Sequence, residues 1–390
     1  MKLIDEIVAN KAQLTAWRRD LHAHPETAFE EHRTAQFVAE KLESFGIPVH
    51  RGLAKTGVVG TLKAGTGNRA IGLRADMDAL DLHELNGFAH KSKHEGKMHG
   101  CGHDGHTTML LGAAQYLAQS RNFDGIVHFI FQPAEENLAG GKVMVDEGLF
   151  RLFPCEAVFG MHNMPGYDIG SFGVKAGPMM ASADMFWIKI RGKGAHGAYP
   201  HQGIDPVAIG AEIVLAAQHI VGRNVNPQQP AVVSICQFSA GHTTNVIPED
   251  AMLAGTARAF SPEVQDLIEN RLRQIVTGIA ASHGAVAELD YQRRYPPTIN
   301  TVDETELAAR AAADIVGEAN VLRNIVPSMG AEDFAWMLRE KPGSYVWIGN
   351  GAGEGSCMIH NPHYDFNDEA ITIGASYWAR LAEMALPVGG

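Results

Sequence analysis

The order of apolar patterns along the chain constrains its fold more than any single motif does. Short β-rich runs alternate with stretches of helical periodicity, and these runs cover residues 58–62, 70–73, 125–131, 157–161 and 344–348. Such alternation is typical of βαβ units, in which helices cover both faces of a largely parallel sheet. We therefore predict an α/β fold with a mixed, mostly parallel sheet flanked by helices.

The middle of the chain follows a different pattern. It predicts a strand, a helix, two strands, a helix and a strand, at residues 185–190, 206–221, 232–237, 252–258, 262–281 and 285–291. This β-α-β-β-α-β order is typical of ferredoxin-like α+β modules. Turn-forming pairs, Gly177-Pro178 and Pro296-Pro297, bound the segment. We predict one domain of residues 1–182 and 298–390, interrupted by an inserted domain of residues 183–297.

Charge and composition exclude several classes of protein. The 32 Lys and Arg residues are outnumbered by 44 Asp and Glu residues, which gives a net charge of −12. This excess of acid disfavours binding to nucleic acids and to anionic membranes, because both require clustered positive charge. Four cysteines are too few for a disulfide framework. The sequence has neither a secretory signal nor an apolar run long enough to span a membrane. We expect a cytoplasmic protein without nucleic-acid or membrane partners.

The densest chemical signal is the run Met-His-Gly-Cys-Gly-His-Asp-Gly-His at residues 98–106. Cys101 and His103 flank a glycine just before a predicted helix at 107–119, so a thiolate and an imidazole can converge from one turn. The glycines allow the backbone to approach a bound ion closely. A flexible loop with solvated histidines is the alternative, but the density of the motif favours a metal site.

A pair of adjacent carboxylates, Glu135 and Glu136, follows the apolar strand predicted at 126–131. Carboxylates at the end of a buried strand are costly unless they are paired or bound to metal. Because neighbouring side chains point apart, one of the two can ligate a metal while the other faces a water bound to that metal. On this motif alone, a surface turn with two solvated acids is equally consistent.

Two further histidines follow predicted strands. His162 comes directly after the strand at 157–161, and His360 follows the strand at 345–348 and a glycine-rich loop. Either histidine alone would more often be an ordinary polar residue. All the candidates, however, lie just past the carboxyl ends of predicted parallel strands, where open α/β sheets build their sites. A thiolate, carboxylates and imidazoles suit Zn²⁺, Mn²⁺ or a similar divalent ion, and five ligands favour two ions.

Seven short motifs, in order, resemble the di-metal amidohydrolase and exopeptidase family that includes aminoacylases, hippurate hydrolase and indoleacetyl-amino-acid hydrolases. The motifs lie at residues 74–80, 99–104, 133–136, 160–163, 192–196, 244–248 and 360–362. The resemblance implies a zinc-exopeptidase-like catalytic domain with two divalent ions per subunit, Zn²⁺ or Mn²⁺, with Co²⁺ or Ni²⁺ as further options. It also makes Glu135 the general base. The metal ligands that it implies are Cys101, His103, Glu136, His162 and His360.

Two positions distinguish one branch of that family from the others. Exopeptidase branches have a histidine ligand where Asp76 stands and an aspartate where Cys101 stands. The cysteine form resembles the N-acyl-amino-acid amidohydrolase branch. We therefore interpret Asp78 as the hydrogen-bond partner that fixes the tautomer of a ligating histidine, and not as a ligand.

The inserted domain resembles the satellite domain of the family, which pairs two subunits through an edge strand. The resemblance therefore implies a homodimer or a dimer of dimers. It directs His196 towards a carbonyl oxygen of the substrate, in its own active site or in that of the partner subunit. Asn245 and Arg258 are candidates for holding the free carboxylate of the substrate, because a guanidinium matches a carboxylate bidentately. A structural role for Arg258 is nearly as consistent.

The predicted activity is metal-dependent hydrolysis of the amide bond of N-acyl amino acids, such as hippurate, to a carboxylic acid and a free amino acid. An N-acetyl-amino-acid deacetylase, or a dipeptidase or exopeptidase on the same scaffold, is the alternative among enzymes. A non-catalytic metal-binding protein is the alternative outside them. Structural metal sites are saturated by protein ligands, so the additional carboxylate of Glu135 beside Glu136 argues against that last alternative.

Overall fold

The computed structural model describes residues 1–136, 138–353 and 355–389. Within this part, the chain folds into two compact units. The larger unit contains residues 1–177, 299–326 and the chain from 333 onward, and the smaller unit contains residues 178–298 and 327–332. None of the described helices is both long enough and apolar enough to cross a membrane.

Helices and strands are numbered here in chain order. The helices are α1 (Asp5–Ala9), α2 (Lys11–Ala23), α3 (His32–Ser44), α4 (His103–Ser120), α5 (Gly140–Asp146), α6 (Leu149–Leu152), α7 (Pro206–His219), α8 (Pro262–Ser282), α9 (Val302–Val316), α10 (Ala335–Glu340) and α11 (Glu369–Ala385). The strands are β1 (Val49–Leu53), β2 (Gly57–Ala64), β3 (Ala70–Asp76), β4 (Gly125–Gln132), β5 (Ala157–Met164), β6 (Phe172–Val174), β7 (Gly177–Met180), β8 (Ala183–Arg191), β9 (Ala195–His196), β10 (Ala231–Ala240), β11 (Val246–Ile247), β12 (Asp250–Ala259), β13 (Val286–Tyr295), β14 (Thr298–Asn300), β15 (Val321–Arg323) and β16 (Gly343–Gly349).

An eight-stranded mixed sheet forms the centre of the larger unit. Its strands lie in the order β1-β2-β4-β3-β5-β16-β6-β15. The neighbours β3–β4, β3–β5, β5–β16 and β6–β15 are parallel, and the other neighbouring pairs are antiparallel. Every residue of β3 and β16 is buried, as expected for strands that are covered on both faces. The predicted α/β fold with a mixed, mostly parallel sheet is therefore confirmed.

Helices α2, α4 and α11 pack against one another, and α4 and α11 also contact the central strand β3. Leu14 of α2, Met109 of α4 and Trp378 of α11 belong to one apolar core and are almost inaccessible to solvent. Gly112 allows α4 to approach closely, because an added Cβ would lie 3.1 Å from a methyl group of Leu14. This packing fixes the amino-terminal end of α4, which begins at His103, against the sheet.

Of the element boundaries that differ from the sequence prediction, two matter most for the site. Helix α4 begins at His103 rather than at 107, because Gly102 adopts a left-handed conformation (φ 93°) that turns the chain directly into the helix. Strand β5 continues to Met164, since its pairing with β16 extends that far. His162 therefore lies within the strand, and the prediction that it follows the strand end is wrong.

The smaller unit contains a four-stranded antiparallel sheet in the order β10-β12-β8-β13. Helices α7 and α8 pack on this sheet, and side chains such as Ile188 of β8 and Leu272 of α8 form a separate apolar core. The predicted ferredoxin-like order of elements is confirmed. Residues 327–332, which we predicted in the larger domain, belong to this unit because the amide of Ala181 donates hydrogen bonds to the carbonyls of Ser328 and Gly330.

Candidate metal centre

Cys101 and His103 lie at the tight turn that starts α4. An added Cβ at Gly102 would lie 2.3 Å from the side-chain oxygen of Asn163, so only glycine allows the turn to approach the end of β5 this closely. Both Cys101 and His103 are buried. On β5, the Nδ1 of His162 donates to the carbonyl of Asn163 at 2.6 Å. The Nε2 of His162 then lies 3.3 Å from the sulfur of Cys101.

The five side chains that the sequence predicts as metal ligands lie together. The ligand atoms of Cys101, His103 and His162 lie within 4.8 Å of one another, and those of Cys101, Glu136 and His360 form a second group within the same limit. Cys101 belongs to both groups. The two groups together contain all five residues that would hold divalent ions, although their assignment as ligands stays a prediction.

Asp78 orients one of these histidines. Its Oδ1 lies 3.1 Å from the Nδ1 of His103, and its Oδ2 accepts a hydrogen bond from the backbone amide of Glu136 at 2.9 Å. The Nε2 of His103 is buried and forms no hydrogen bond with the residues that the structure describes, although it lies 3.8 Å from the Oδ2 of Asp76. An imidazole nitrogen left open in this way, with the other nitrogen held by a carboxylate, is typical of a metal ligand.

Behind these groups lies a second layer of polar residues whose roles were not predicted from the sequence. The Nδ1 of His106 lies 2.6 Å from Asp76, and the Nε2 of His106 accepts a hydrogen bond from the backbone amide of Asn163 at 3.0 Å. Arg74 forms an ion pair with Asp76 at 2.7 Å. Both nitrogens of His106 are thus engaged by protein groups, as expected for a residue that supports the site. These residues lie inside the run at 98–106 and the motifs at 74–80 and 160–163, but these patterns do not separate ligands from their supports.

The adjacent carboxylates have different surroundings. The Oε1 of Glu136 lies 3.0 Å from the Nε2 of His360, whose side chain is half exposed. Glu135 is buried, and its Oε1 accepts a hydrogen bond from the backbone amide of Asp333 at 3.3 Å. The carboxylate oxygens of Glu135 and Glu136 both lie within 4.8 Å of a ring nitrogen of His103. Glu135 therefore reaches the site without belonging to either group that contains Cys101.

The charge balance of the site favours cations. Burial and the nearby carboxylates of Glu136 and Glu135 raise the pKa of the Cys101 thiol well above its usual value. Burial alone would lower the pKa of His103, but the carboxylates of Asp76 and Asp78 outweigh burial and raise it to about 10. The buried protein groups thus leave an excess of negative charge. A divalent ion would correct this excess and would bind the sulfur as a thiolate, so the donor set fits divalent metal ions.

Three predicted residues belong to the smaller unit. His196 ends β9, which pairs with β11 so that His196 lies opposite Val246, the residue after Asn245. The amide of Gly197 donates to the carbonyl of Asn245 at 2.8 Å, and both His196 and Asn245 are exposed. Arg258 lies on β12 opposite Val232 of β10. The structure thus places His196 and Asn245 next to each other.

An α/β sheet with clustered thiol, imidazole and carboxylate donors and an additional carboxylate defines a metal-dependent hydrolase. The chain belongs to peptidase family M20/M25/M40, whose family model matches residues 72–384. It is 43% identical over 382 residues to hippurate hydrolase from Campylobacter jejuni, with 98% of this chain and 99% of the relative covered. It is 40% identical over 389 residues to N-acetylcysteine deacetylase from Bacillus subtilis, with 97% and 99% covered.

Comparison with a solved structure also places the chain in this family. A Bacillus subtilis protein described as a dinuclear metal binding peptidase from the M20 family matches with a TM-score of 0.86 and 37% sequence identity, covering 97% of this chain and 99% of that chain. The predicted family, the predicted fold class and the predicted enzyme class, an amidohydrolase, are therefore confirmed.

Proposed function

We propose that the protein hydrolyses the amide bond of N-acyl amino acids, such as hippurate, to a carboxylic acid and a free amino acid. The observation that carries this proposal is Glu135, a buried carboxylate beside the five predicted ligands that belongs to neither of the groups around Cys101. The names of the relatives in Campylobacter jejuni and Bacillus subtilis, a hippurate hydrolase and an N-acetylcysteine deacetylase, support the substrate class.

In this proposal the site holds two divalent ions, Zn²⁺ or Mn²⁺, with Co²⁺ or Ni²⁺ as further options. The residues that would hold them are Cys101, His103, Glu136, His162 and His360. When bound, such ions lower the pKa of water and polarise an acyl oxygen.

The side chains would then divide the reaction between them. Glu135 takes a proton from water as the water oxygen attacks the acyl carbon, and it delivers that proton to the amide nitrogen as the C–N bond breaks. His196 donates a hydrogen bond to the acyl oxygen while negative charge develops there. A donor of this kind is commonly worth about 2.7–4 kcal/mol of transition-state stabilisation.

Asn245 and Arg258 would hold the free carboxylate of the substrate. Arg258 is half-buried, and its guanidinium forms no hydrogen bond or ion pair with the residues that the structure describes. Burial lowers the pKa of Arg258, and the nearby carboxylate of Asp184 opposes this shift. A partly desolvated guanidinium that forms no hydrogen bond with the described residues is suited to a bidentate contact with a ligand carboxylate.

The proposal predicts a clear order of substrates. In the metal-loaded protein, N-benzoyl, N-acetyl or indoleacetyl amino acids should be hydrolysed faster than dipeptides or longer peptides, as measured by the amino acid released. A preference for peptides would favour the exopeptidase alternative instead. No turnover of any amide by protein with a full metal content would favour a non-catalytic metal-binding protein.

We further propose that the smaller unit pairs two subunits, giving a homodimer or a dimer of dimers. Strand β10 lies at one edge of its sheet, where unpaired backbone groups can pair with a second copy. Beside it, Phe238 of β10 is 43% exposed and Leu215 of α7 is 70% exposed. Exposed apolar side chains next to an open strand edge are suited to an interface between copies.

A charge at this edge should weaken the pairing. Leu215→Glu is expected to shift the full-length protein towards the monomer in sedimentation velocity, because burying an unpaired carboxylate is costly. Val286→Glu is the matched control, since Val286 is 61% exposed on β13 at the opposite edge of the same sheet. A wild-type protein that is monomeric and fully active would contradict both the pairing and any action of His196 across subunits.

A further inference from the structure

Glu31 is a buried acid in the larger unit that the proposed reaction does not use. Its side chain is inaccessible to solvent, and it forms no ion pair with a cationic side chain in the described part of the chain. Its Oε2 accepts a hydrogen bond from the hydroxyl of Thr56 at 2.6 Å. Burial raises the pKa of Glu31 to about 7, although the hydrogen bond from Thr56 opposes this shift. The hydrogen bonds that Glu31 accepts therefore define its role.

The other carboxylate oxygen of Glu31 holds two unusual backbone positions. Oε1 accepts hydrogen bonds from the amide of Ala134 at 3.0 Å and from the amide of Phe29 at 3.1 Å. Both residues have left-handed backbones, with φ values of 55° for Ala134 and 61° for Phe29. This conformation is unfavourable for residues that carry a Cβ. A single oxygen of Glu31 thus stabilises both strained residues.

Ala134 immediately precedes Glu135, the proposed general base. Its carbonyl accepts a hydrogen bond from the amide of Gly140 at 2.9 Å. A side chain at Gly140 would lie 1.8 Å from the carbonyl oxygen of Pro133, so the loop is closed tightly here. The backbone of Ala134 is therefore held on its amide side by Glu31 and on its carbonyl side by Gly140.

Glu136 has a separate backbone anchor, because its amide donates to Asp78. The hydrogen bond from Ala134 to Glu31 therefore constrains the backbone before Glu135, whereas the backbone at Glu136 is held by Asp78. The φ angle of Ala134 sets the direction in which the chain enters Glu135, and hence the direction of the Glu135 side chain. If Ala134 left the left-handed conformation, the Glu135 carboxylate would be displaced, while the amide of Glu136 would still donate to Asp78.

We propose that Glu31 is a positioning residue for Glu135, which it directs by holding Ala134 in the left-handed conformation. This inference rests on the proposed role of Glu135 as the general base. A purely structural role for Glu31 would stabilise the fold without a specific effect on the chemical step.

Glu31→Ala tests the inference. It is expected to lower kcat by up to about 10²-fold, the loss that a small misplacement of a catalytic group can cause, with KM and metal content little changed. Glu31→Gln should remain close to wild type, because its amide oxygen can accept from Ala134 and its amide nitrogen can donate to Thr56. Should Glu31→Ala fail to fold, Glu31→Asp, whose carboxylate is one methylene shorter, replaces it with the same expectation.

A second substitution separates positioning from stability. Ala134→Gly in the Glu31→Ala background should recover roughly tenfold in kcat, because glycine adopts positive φ without the penalty of a Cβ. In metal-free protein, amide exchange in the segment around Ala134 should be faster in Glu31→Ala than in wild type. Glu26→Ala is the matched control: Glu26 accepts hydrogen bonds from the amides of Arg33 and Thr34, and its loss should leave both kcat and this exchange unchanged.

The possible failures are distinguishable. Wild-type kcat in Glu31→Ala overturns the inference and leaves the proposed function intact. The inference is also overturned if Glu31→Ala lowers kcat, Ala134→Gly does not restore it, and amide exchange around Ala134 is unchanged. A wild-type protein that hydrolyses no amide overturns the proposed function, and the inference about Glu135 falls with it, whatever the exchange rates are.

Discussion

Substitution of Glu135 by glutamine is expected to lower kcat by about 10²–10⁴-fold, the usual contribution of a general base, while KM changes little. Glutamine has the size and shape of glutamate, and its amide oxygen can still accept the hydrogen bond from the amide of Asp333. It cannot, however, take a proton from water. Because the two groups that share Cys101 do not include Glu135, the metal content measured by elemental analysis should stay at the wild-type level.

Glu136→Gln is the matched control for this experiment. Glu136 lies in the group that contains Cys101 and His360, so its substitution should lower the metal content, and excess metal should partly restore activity. The Glu135 variant would then lose kcat at full metal content, whereas the Glu136 variant would lose metal. A Glu135→Gln protein that turns over at nearly the wild-type rate with both metals in place would mean that another group activates the water.

Removal of the metal should abolish activity. Prolonged chelation is expected to reduce turnover to background, and added Mn²⁺, Co²⁺ or Zn²⁺ should restore it. Cys101→Ala should lower both metal content and activity, because Cys101 is the member common to the two groups of ligand atoms. Loss of a residue that only supports a ligand costs about 10–100-fold in metal affinity or activity, so loss of a shared ligand should exceed this range.

Cys236→Ala is the matched control, since Cys236 lies exposed on β10 of the smaller unit. It should leave metal content and turnover nearly unchanged. Full activity in protein that elemental analysis shows to be free of metal would disprove the metal-dependent mechanism. An inactive Cys101→Ala protein with two bound ions would instead assign the sulfur a role other than ligation.

The location of the site could be predicted from the sequence. Strands β4, β3, β5 and β16 are consecutive neighbours in the sheet, and all three of these pairs are parallel. Their carboxyl ends therefore lie at one edge, and the motifs at or beyond those ends come together there. Local apolar patterns were enough for this inference, because it depends on the parallel direction of the strands and not on side-chain detail.

The separate roles of the histidines could not be predicted in the same way. His103 and His106 lie three residues apart on α4, and the sequence motif presents them alike. The structure distinguishes them because His106 contacts Asp76, 30 positions away, and Asn163, 57 positions away, through both ring nitrogens. Within the described residues the Nε2 of His103 forms no hydrogen bond, and a carboxylate oxygen of Asp76 lies 3.8 Å from it. Contacts across these separations depend on tertiary packing, which no local pattern encodes.

The residues that contact Ala134 and Glu135 lie even further away in the sequence. Glu31 and Ala134 are 103 positions apart, and Asp333 and Glu135 are 198 positions apart. The difference between Glu135 and Glu136 could be inferred only from resemblance to a family, since the spacing of two adjacent acids leaves their roles interchangeable. Their different hydrogen bonds appear only once the sheet has brought distant segments together.

The position of β16 has a consequence for synthesis of the chain. This strand lies between β5 and β6 in the sheet, yet it follows β6 in the sequence. At about 5–20 residues per second, the ribosome needs roughly 9–35 s to add residues 175–349 after β6 ends. During that interval β5 lacks its partner on that side and presents an open apolar edge, which is a template for aggregation. The edge of β5 therefore stays open to intermolecular pairing until β16 has been synthesised.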